Sequence, residues 1–247
     1  MGPEPPSKRA PIGTTGLRLD SLRSASAPPT EPLMDPDLSI IRKEYVRAGL
    51  DERDLDPSPI KQIEKWLHEA VEAGHPEATA MNLATITPQG DPATRVVLVK
   101  GIDTQGLVFF TNYNSEKGRD LEKHPRAAGN LFWPLLERQI RVTGTVRKLP
   151  REDSEAYFRS RPRESQLGAW ASDQSTVLEG RSELERRLED MRSRFSSGEV
   201  PCPPHWGGYR ITPNRIEFWQ GRRNRLHDRL RYTRIDLSHW KIERLSP

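Results

Sequence analysis

Residues 80–112 read AMNLATITPQGDPATRVVLVKGIDTQGLVFFTN. Three runs rich in β-branched and aromatic residues, Ala80–Ile86, Thr94–Lys100 and Leu107–Asn112, are separated by Pro88-Gln89-Gly90-Asp91 and by Asp103–Gly106. Short β-prone runs divided by Gly, Pro and Asp mark consecutive hairpins. Hairpins pair strands antiparallel, because parallel neighbours need a long crossover. The pattern continues outward through Ala127–Trp133 and Gln139–Lys148, and the chain closes with Tyr209–Ile211, Arg215–Trp219, Arg229–Ile235 and Trp240–Leu245. The small Thr143 and Gly144 leave room for close packing or a bulge. Gly207-Gly208, after Trp206, reads as a turn. Many short antiparallel strands predict a barrel or a sandwich, since closure removes exposed edges.

Helices flank these strands. Ser58 can cap a helix, Pro59 suits its first turn and Gly74 can end it. Ile60, Ile63, Leu67 and Val71 mark the buried stripe of that helix. A second helix spans about Arg151–Arg161 and must stop at Pro162. A third spans Ser182–Phe195, with Leu184, Leu188, Met191 and Phe195 as its apolar stripe and a solvated face of Arg and Glu. Ile40, Ile41, Tyr45 and Leu50 suggest a short amphipathic helix before them. Residues 1–40 differ in kind: they hold 8 of the 22 prolines and no aromatic residue. Such a segment cannot bury enough surface to offset chain entropy. Residues 1–36 are therefore expected to be a disordered extension, either a transit peptide or dispensable, and residues 37–247 the folded domain.

Composition narrows the function. The longest apolar runs, such as Val96–Val99, have four residues, far short of the roughly 20 needed to span a bilayer. No basic-then-apolar leader opens the sequence. The single cysteine, Cys202, excludes an internal disulfide framework and a multi-cysteine zinc site. It fits a reducing compartment, so a cytoplasmic location is expected. His68, His75, His124, His205 and His239 lack metal-ligand spacing, and no metal is expected. The net charge of +4 is compatible with nucleic acid or with phosphorylated small molecules.

Three basic clusters carry candidate chemistry. Arg95 and Lys100 end one strand on opposite faces, as rim charges or as phosphate ligands. Tyr157 and Arg161, four apart, share a helix face, and the break at Pro162 lets Ser165 fold back toward them. A guanidinium, a phenol and a hydroxyl can donate to one phosphate. Residues 221–234 hold six Arg and one Asp directly after Glu217-Phe218-Trp219-Gln220. This run could bind nucleic acid or line an anion site, and some of its arginines need fixed anionic partners. Within it, Arg225 and His227 lie two apart and share a face if the segment is extended. Lys117, Gln139, Gln174 and Ser175 are isolated polar residues that read as surface on their own.

Together the segments resemble the pyridoxine (pyridoxamine) 5′-phosphate oxidases. The carrying motif is Glu217-Phe218-Trp219-Gln220, four residues, then Arg225-Leu226-His227-Asp228-Arg229, with Trp240–Pro247 at the end. Supporting matches are Arg42–Tyr45, Arg95–Lys100, Phe110-Thr111-Asn112, Glu137-Arg138-Gln139, Ser160–Arg163, Ser165–Trp170 and Trp206–Tyr209. The resemblance runs in order from about residue 40 to the end. It implies an antiparallel split β-barrel and a homodimer with FMN at the subunit interface. It assigns Arg95, Val96, Val97, Leu98, Val99, Lys100, Phe110, Thr111, Lys117, Gln139, Gln174, Ser175, Trp219 and Arg229 to FMN. It assigns Lys100, Tyr157, Arg161 and Ser165 to the substrate phosphate. Arg225, Leu226 and His227 face the substrate ring, with Arg225 and His227 catalytic, and Arg42, Lys43, Glu44 and Tyr45 form a segment over the site. One departure stands out: Glu116 occupies a position where the family often has Arg, so Glu116 must point outward or Arg119 must substitute. The resemblance implies oxidation of pyridoxine or pyridoxamine 5′-phosphate to pyridoxal 5′-phosphate, with dioxygen as acceptor. Another split-barrel flavin reductase, a non-catalytic pyridoxal phosphate carrier and a nucleic-acid module are the alternatives.

Overall fold

The computed structural model describes residues 1–2, 44–46 and 49–247, and the fold is that of the unit Glu44–Pro247. The predicted extension, the helix expected around Ile40 and Ile41, and Arg42 and Lys43 lie outside the described residues.

Eight strands form one antiparallel sheet: β1 Ala80–Ile86, β2 Pro92–Asp103, β3 Gly106–Asn112, β4 Arg126–Trp133, β5 Arg138–Lys148, β6 Trp206–Gln220, β7 Asp228–Arg234 and β8 Trp240–Arg244. Their order is β3-β2-β1-β4-β5-β6-β7-β8, and β3 also pairs with β6, which closes the first six into a barrel. Strand β6 is the hub. Its first half, Trp206–Ile211, pairs with β3, and its second half, Arg215–Gln220, pairs with β7. The sequence reading broke β6 at Pro213. The strand instead runs through, because the register against β5 shifts there and Asn214 becomes an extra residue opposite Thr143/Gly144. Proline is tolerated at such a bulge, where no ladder N–H is required. Gly144 is needed on the facing strand, since a Cβ there would lie 2.2 Å from the Thr212 carbonyl oxygen. The Gly207-Gly208 turn is likewise replaced by strand. A Cβ on Gly207 would meet the Tyr113 hydroxyl and one on Gly208 the Leu149 side chain, so these glycines admit close neighbours.

Five α-helices cover the barrel among the described residues: α1 Pro59–Glu72, α2 Glu116–Lys123, α3 Arg151–Ser160, α4 Arg163–Ala171 and α5 Arg181–Arg194. Helix α1 begins as read, with the Ser58 hydroxyl accepting from the Lys61 N–H and Pro59 in the first turn; Gly74, at φ 71°, follows its end. Its buried stripe is Ile60, Ile63, Trp66 and Ala70, while Val71 is 56% exposed. At about 100° per residue, the bulky Trp66 centres the stripe and rotates Val71 out. Trp66 meets Phe218 edge to face at 5.1 Å inside the barrel core, with Met81, Leu83, Phe109, Leu131 and Ile140. A smaller core of Phe158, Leu167, Val200 and Trp206 joins α3, α4 and the start of β6, and Leu188 and Met191 from α5, with Phe195 just past its end, pack on it. No helix among the described residues is long and apolar enough to cross a membrane.

Candidate functional site

A cavity of about 540 Å³ opens between the outer face of β2, the end of β3 and the α2–α4 lobe. Alternation along β2 places it. Val97 and Val99 are buried, whereas Val96 is 66% exposed and lines the cavity with Leu98 and Lys100. Lys100 sits where the β2–β3 register slips between Val99 and Gly101, so it is the extra residue of a bulge. Bulges re-aim side chains beside functional sites. Of the predicted residues, Val96, Val97, Leu98, Lys100, Phe110, Thr111, Lys117, Gln174, Tyr157, Arg161 and Ser165 line this one cavity. Val99 does not: its side chain packs in the barrel core. Ser175 follows Gln174 in an exposed turn at φ 69°.

Lys117 and Arg161 in this cavity have no ion-pair partner among the described residues. Lys117 is 8% exposed, and its ammonium donates to the Gln174 Oε1 at 2.7 Å, the Ser115 hydroxyl at 3.2 Å and the Thr111 hydroxyl at 3.3 Å. All three acceptors are neutral. Burial, reinforced by the nearby charge of Arg95, lowers its pKa to about 8. Arg161 caps the end of α3, with its guanidinium 4.7 Å from the Trp206 ring centre and 5.5 Å from that of Phe158. Its Nη1 is buried with no hydrogen-bond partner, and burial lowers its pKa. Held by aromatic faces, its charge is left uncompensated. Tyr157 stacks on Phe110 at 4.0 Å beside it. Ser165 reaches the cavity because α4 starts directly after Pro162.

Arg95 is held differently. It pairs with Asp120 at 3.4 Å, bonds the Thr85 hydroxyl, and lines a separate cavity of about 320 Å³ with Glu116, Arg119 and Asp120. Glu116 is exposed and outside the Lys117 cavity. It lines the second cavity with Arg95 and Arg119 instead.

The remaining predicted residues gather on the C-terminal part of the sheet and do not line the main cavity. Gln139, Trp219 and Arg229 lie in one row across β5, β6 and β7. Glu217 takes the Arg229 guanidinium at 2.8 and 3.2 Å, and the Ser246 carbonyl accepts a third bond at 2.9 Å. Tyr45, Trp219 and His227 form a ring cluster with centroids 4.7–5.6 Å apart. Glu44 is exposed, and Leu226 is 69% exposed. The extended segment expected for Arg225 and His227 is instead a short helical turn, Arg223–Arg225, with Asn224 and Arg225 at φ 55° and 61°. The turn leaves Arg225 exposed and swings the His227 ring back, where its Nδ1 accepts the Arg222 N–H at 3.1 Å. That bond puts the imidazole proton on Nε2, so the free nitrogen of neutral His227 is a donor. Burial and the Arg225 charge lower the pKa of His227 and favour this neutral form. The basic run finds the anionic partners it required: Arg222–Asp228, Arg229–Glu217 and Arg231–Glu243.

Sequence reasoning missed Trp206, Asp120 and Glu217 as site residues. Trp206 had a signal in its place before two strand glycines. The acids had one too, as buried carboxylates among many arginines.

A family model described as pyridoxamine 5′-phosphate oxidase matches residues 67–195. A second, described as the pyridoxine 5′-phosphate oxidase C-terminal dimerisation region, matches residues 206–247. A pyridoxine/pyridoxamine 5′-phosphate oxidase of Rubrobacter xylanophilus is 55% identical over 211 residues, 85% of this chain and 97% of that protein. One of Gloeothece citriformis is 51% identical over 214 residues, 87% of this chain and all of that protein. Among solved structures, PhzG from Burkholderia lata in complex with tetrahydrophenazine-1-carboxylic acid is 32% identical with a TM-score of 0.77, over 83% of this chain and 100% of that one. An FMN-binding protein of Nostoc punctiforme, 18% identical with a TM-score of 0.63 over 78% of this chain and 100% of that one, shares the fold.

Proposed function

The chain belongs to the pyridoxamine 5′-phosphate oxidase family of oxidoreductases, and from that membership we propose that it oxidises pyridoxine 5′-phosphate or pyridoxamine 5′-phosphate to pyridoxal 5′-phosphate. Dioxygen is the final acceptor and hydrogen peroxide the product, with water consumed and ammonia released from the amine. The observation that carries this reading is a pair of cations in one cavity, the buried Lys117 and the half-buried Arg161 with its buried Nη1, neither with an ion-pair partner among the described residues. A phosphoryl group brings roughly −1.5 to −2 charges, so two cationic ends suit two phosphorylated ligands.

Lys117, Thr111 and Gln174 would hold the phosphate of a bound FMN, with Val96–Lys100 and Phe110 beside it. FMN supplies the hydride acceptor in this chemistry. Arg161, Tyr157, Ser165 and Lys100 would bind the substrate phosphate and fix the position of the C4′ carbon. Such positioning lowers a barrier by removing orientational freedom before the chemical step. The Tyr157 ring is fixed at this end by its stack on Phe110.

Gln139, Trp219, Arg225, His227 and Arg229 would complete the site from a second copy, since within one chain they lie outside the cavity. The C-terminal match to a dimerisation region supports a homodimer. In that assembly Arg225 holds the substrate ring and stabilises negative charge on the C4′ oxygen, and His227 orients that oxygen through its Nε2–H. Glu44 and Tyr45 would cover the ring from above. FMN retention and dimerisation are then linked: dilution that separates the subunits should release FMN. Analytical ultracentrifugation with flavin absorbance checks this, and a monomer that holds FMN with undiminished affinity would contradict it.

The activity is tested by an aerobic assay of purified protein. Pyridoxal 5′-phosphate and peroxide are expected in equal amounts from the alcohol substrate. Protein that binds FMN yet oxidises neither vitamer phosphate, and accepts electrons from another reductant, would be a different split-barrel flavin reductase.

A further inference from the structure

Asp120 is a buried carboxylate with no place in the chemistry above. Its side chain is 5% exposed, and it lies three residues after Lys117 on α2. The Thr85 hydroxyl, on β1, donates to it at 2.7 Å, and Thr85 is itself 2% exposed. Arg95, on β2, reaches the same carboxylate at 3.4 Å and also bonds Thr85. One acid therefore ties a helix and two strands together. A buried ion pair is a weak source of stability, because desolvation offsets most of the attraction.

Helix α2 has few other anchors. It is eight residues long, and its only large apolar side chain is Leu121. Its first turn is held by the Ser115 cap, and Gly118 passes so close to Tyr113 that a Cβ would fall 1.9 Å from the Tyr113 carbonyl oxygen. Lys117 leaves this helix toward Thr111 and Gln174, while Asp120 leaves it toward Thr85. Lys117 and Asp120 thus leave one short helix toward two different elements. The same carboxylate fixes the Arg95 guanidinium.

We propose that Asp120 is a positioning residue for the flavin phosphate, holding Lys117 through the shared helix. The role rests on the reading of the Lys117 cavity as the FMN phosphate site. Its negative charge also favours the protonated form of Lys117, acting with Glu116 against burial and Arg95. Asp120 supplies no atom to the ligand; it acts through Lys117.

The test uses the full-length protein stripped of flavin and titrated with FMN and with riboflavin, which lacks the phosphate. Asp120→Asn keeps the shape and removes the charge. It should weaken FMN about tenfold, the scale of one charge-assisted contact, and leave riboflavin almost unchanged. Thr85→Val, which loosens the tether and keeps the charge, should weaken FMN less, in the same phosphate-selective way. Equal losses for FMN and riboflavin would show that Asp120 only supports the fold, and overturn the proposal. So would an unchanged FMN affinity in Asp120→Asn. Lys117→Ala, run in parallel, separates the two levels. Unchanged FMN affinity there removes the cavity reading and this role with it. A loss there, beside an unaffected Asp120→Asn, removes only the role of Asp120.

Discussion

Arg161→Ala is expected to raise the Michaelis constant for pyridoxine 5′-phosphate by roughly tenfold to a hundredfold, the worth of a hydrogen bond to a charged group. The size follows from how the guanidinium is held. It lies over Trp206 and Phe158, and its buried Nη1 has no partner. No acidic side chain among the described residues pairs with it, so a phosphate gains the full contact. Arg161→Lys should restore little, because an ammonium cannot lie flat on the Trp206 ring or offer a planar fork. Flavin content should stay at the wild-type level in both variants. Steady-state kinetics beside the flavin absorbance ratio decide the matter. Lost FMN with an intact Michaelis constant would mean that the two anion sites are exchanged.

Lys117→Met is expected to weaken FMN by a similar factor, and its signature is a pH dependence. In the flavin-free protein the Lys117 pKa is lowered from 10.5 to about 8, chiefly by burial. The phosphate favours the protonated form, so FMN affinity should be greatest below about pH 8 and fall above it. In Lys117→Met that decline should vanish. Stability moves the opposite way. Because the unfolded chain holds this proton up to 10.5, the flavin-free fold carries the cost of the buried ammonium at neutral pH, and stability should rise between pH 8 and 10.5. Lys117→Met removes that cost, so its flavin-free form should melt higher than wild type at pH 7. A lower melting temperature together with a flat wild-type affinity profile would contradict the assignment.

Much of this was legible in the sequence, for identifiable reasons. The hairpin runs from Ala80 to Asn112 became β1, β2 and β3 with small changes at their ends, because Gly90 and Gly106 supply the positive φ their turns require. Barrel closure was legible as one of two options from the strand pattern and through the family resemblance, but not the β3–β6 pairing that achieves it, which joins residues about a hundred positions apart. Strand β6 was split at Pro213 because proline usually ends a strand, whereas a bulge absorbs it here. Helices α2 and α4 escaped because each is too short to show an apolar period, and Glu116–Lys123 has one large apolar residue.

The site was legible in a similar measure. Tyr157 and Arg161 were placed together by helical spacing, and the break at Pro162 brought Ser165 in. Lys117 and Gln174 looked like surface residues, and only the tertiary fold buries the lysine against the amide oxygen. The Arg225–His227 geometry was misjudged because two left-handed residues turn the segment. Local alternation cannot anticipate such a turn.

The most direct test is the location of two phosphorus atoms in an experimental structure of the protein with FMN and pyridoxal 5′-phosphate bound. One phosphate is expected in contact with the Lys117 ammonium and the Thr111 hydroxyl, and the other with Arg161 Nη1, Tyr157 and Ser165, with the two ligands in one cavity. A phosphate of either ligand bound elsewhere, with Lys117 or Arg161 left without an anion, would contradict the account.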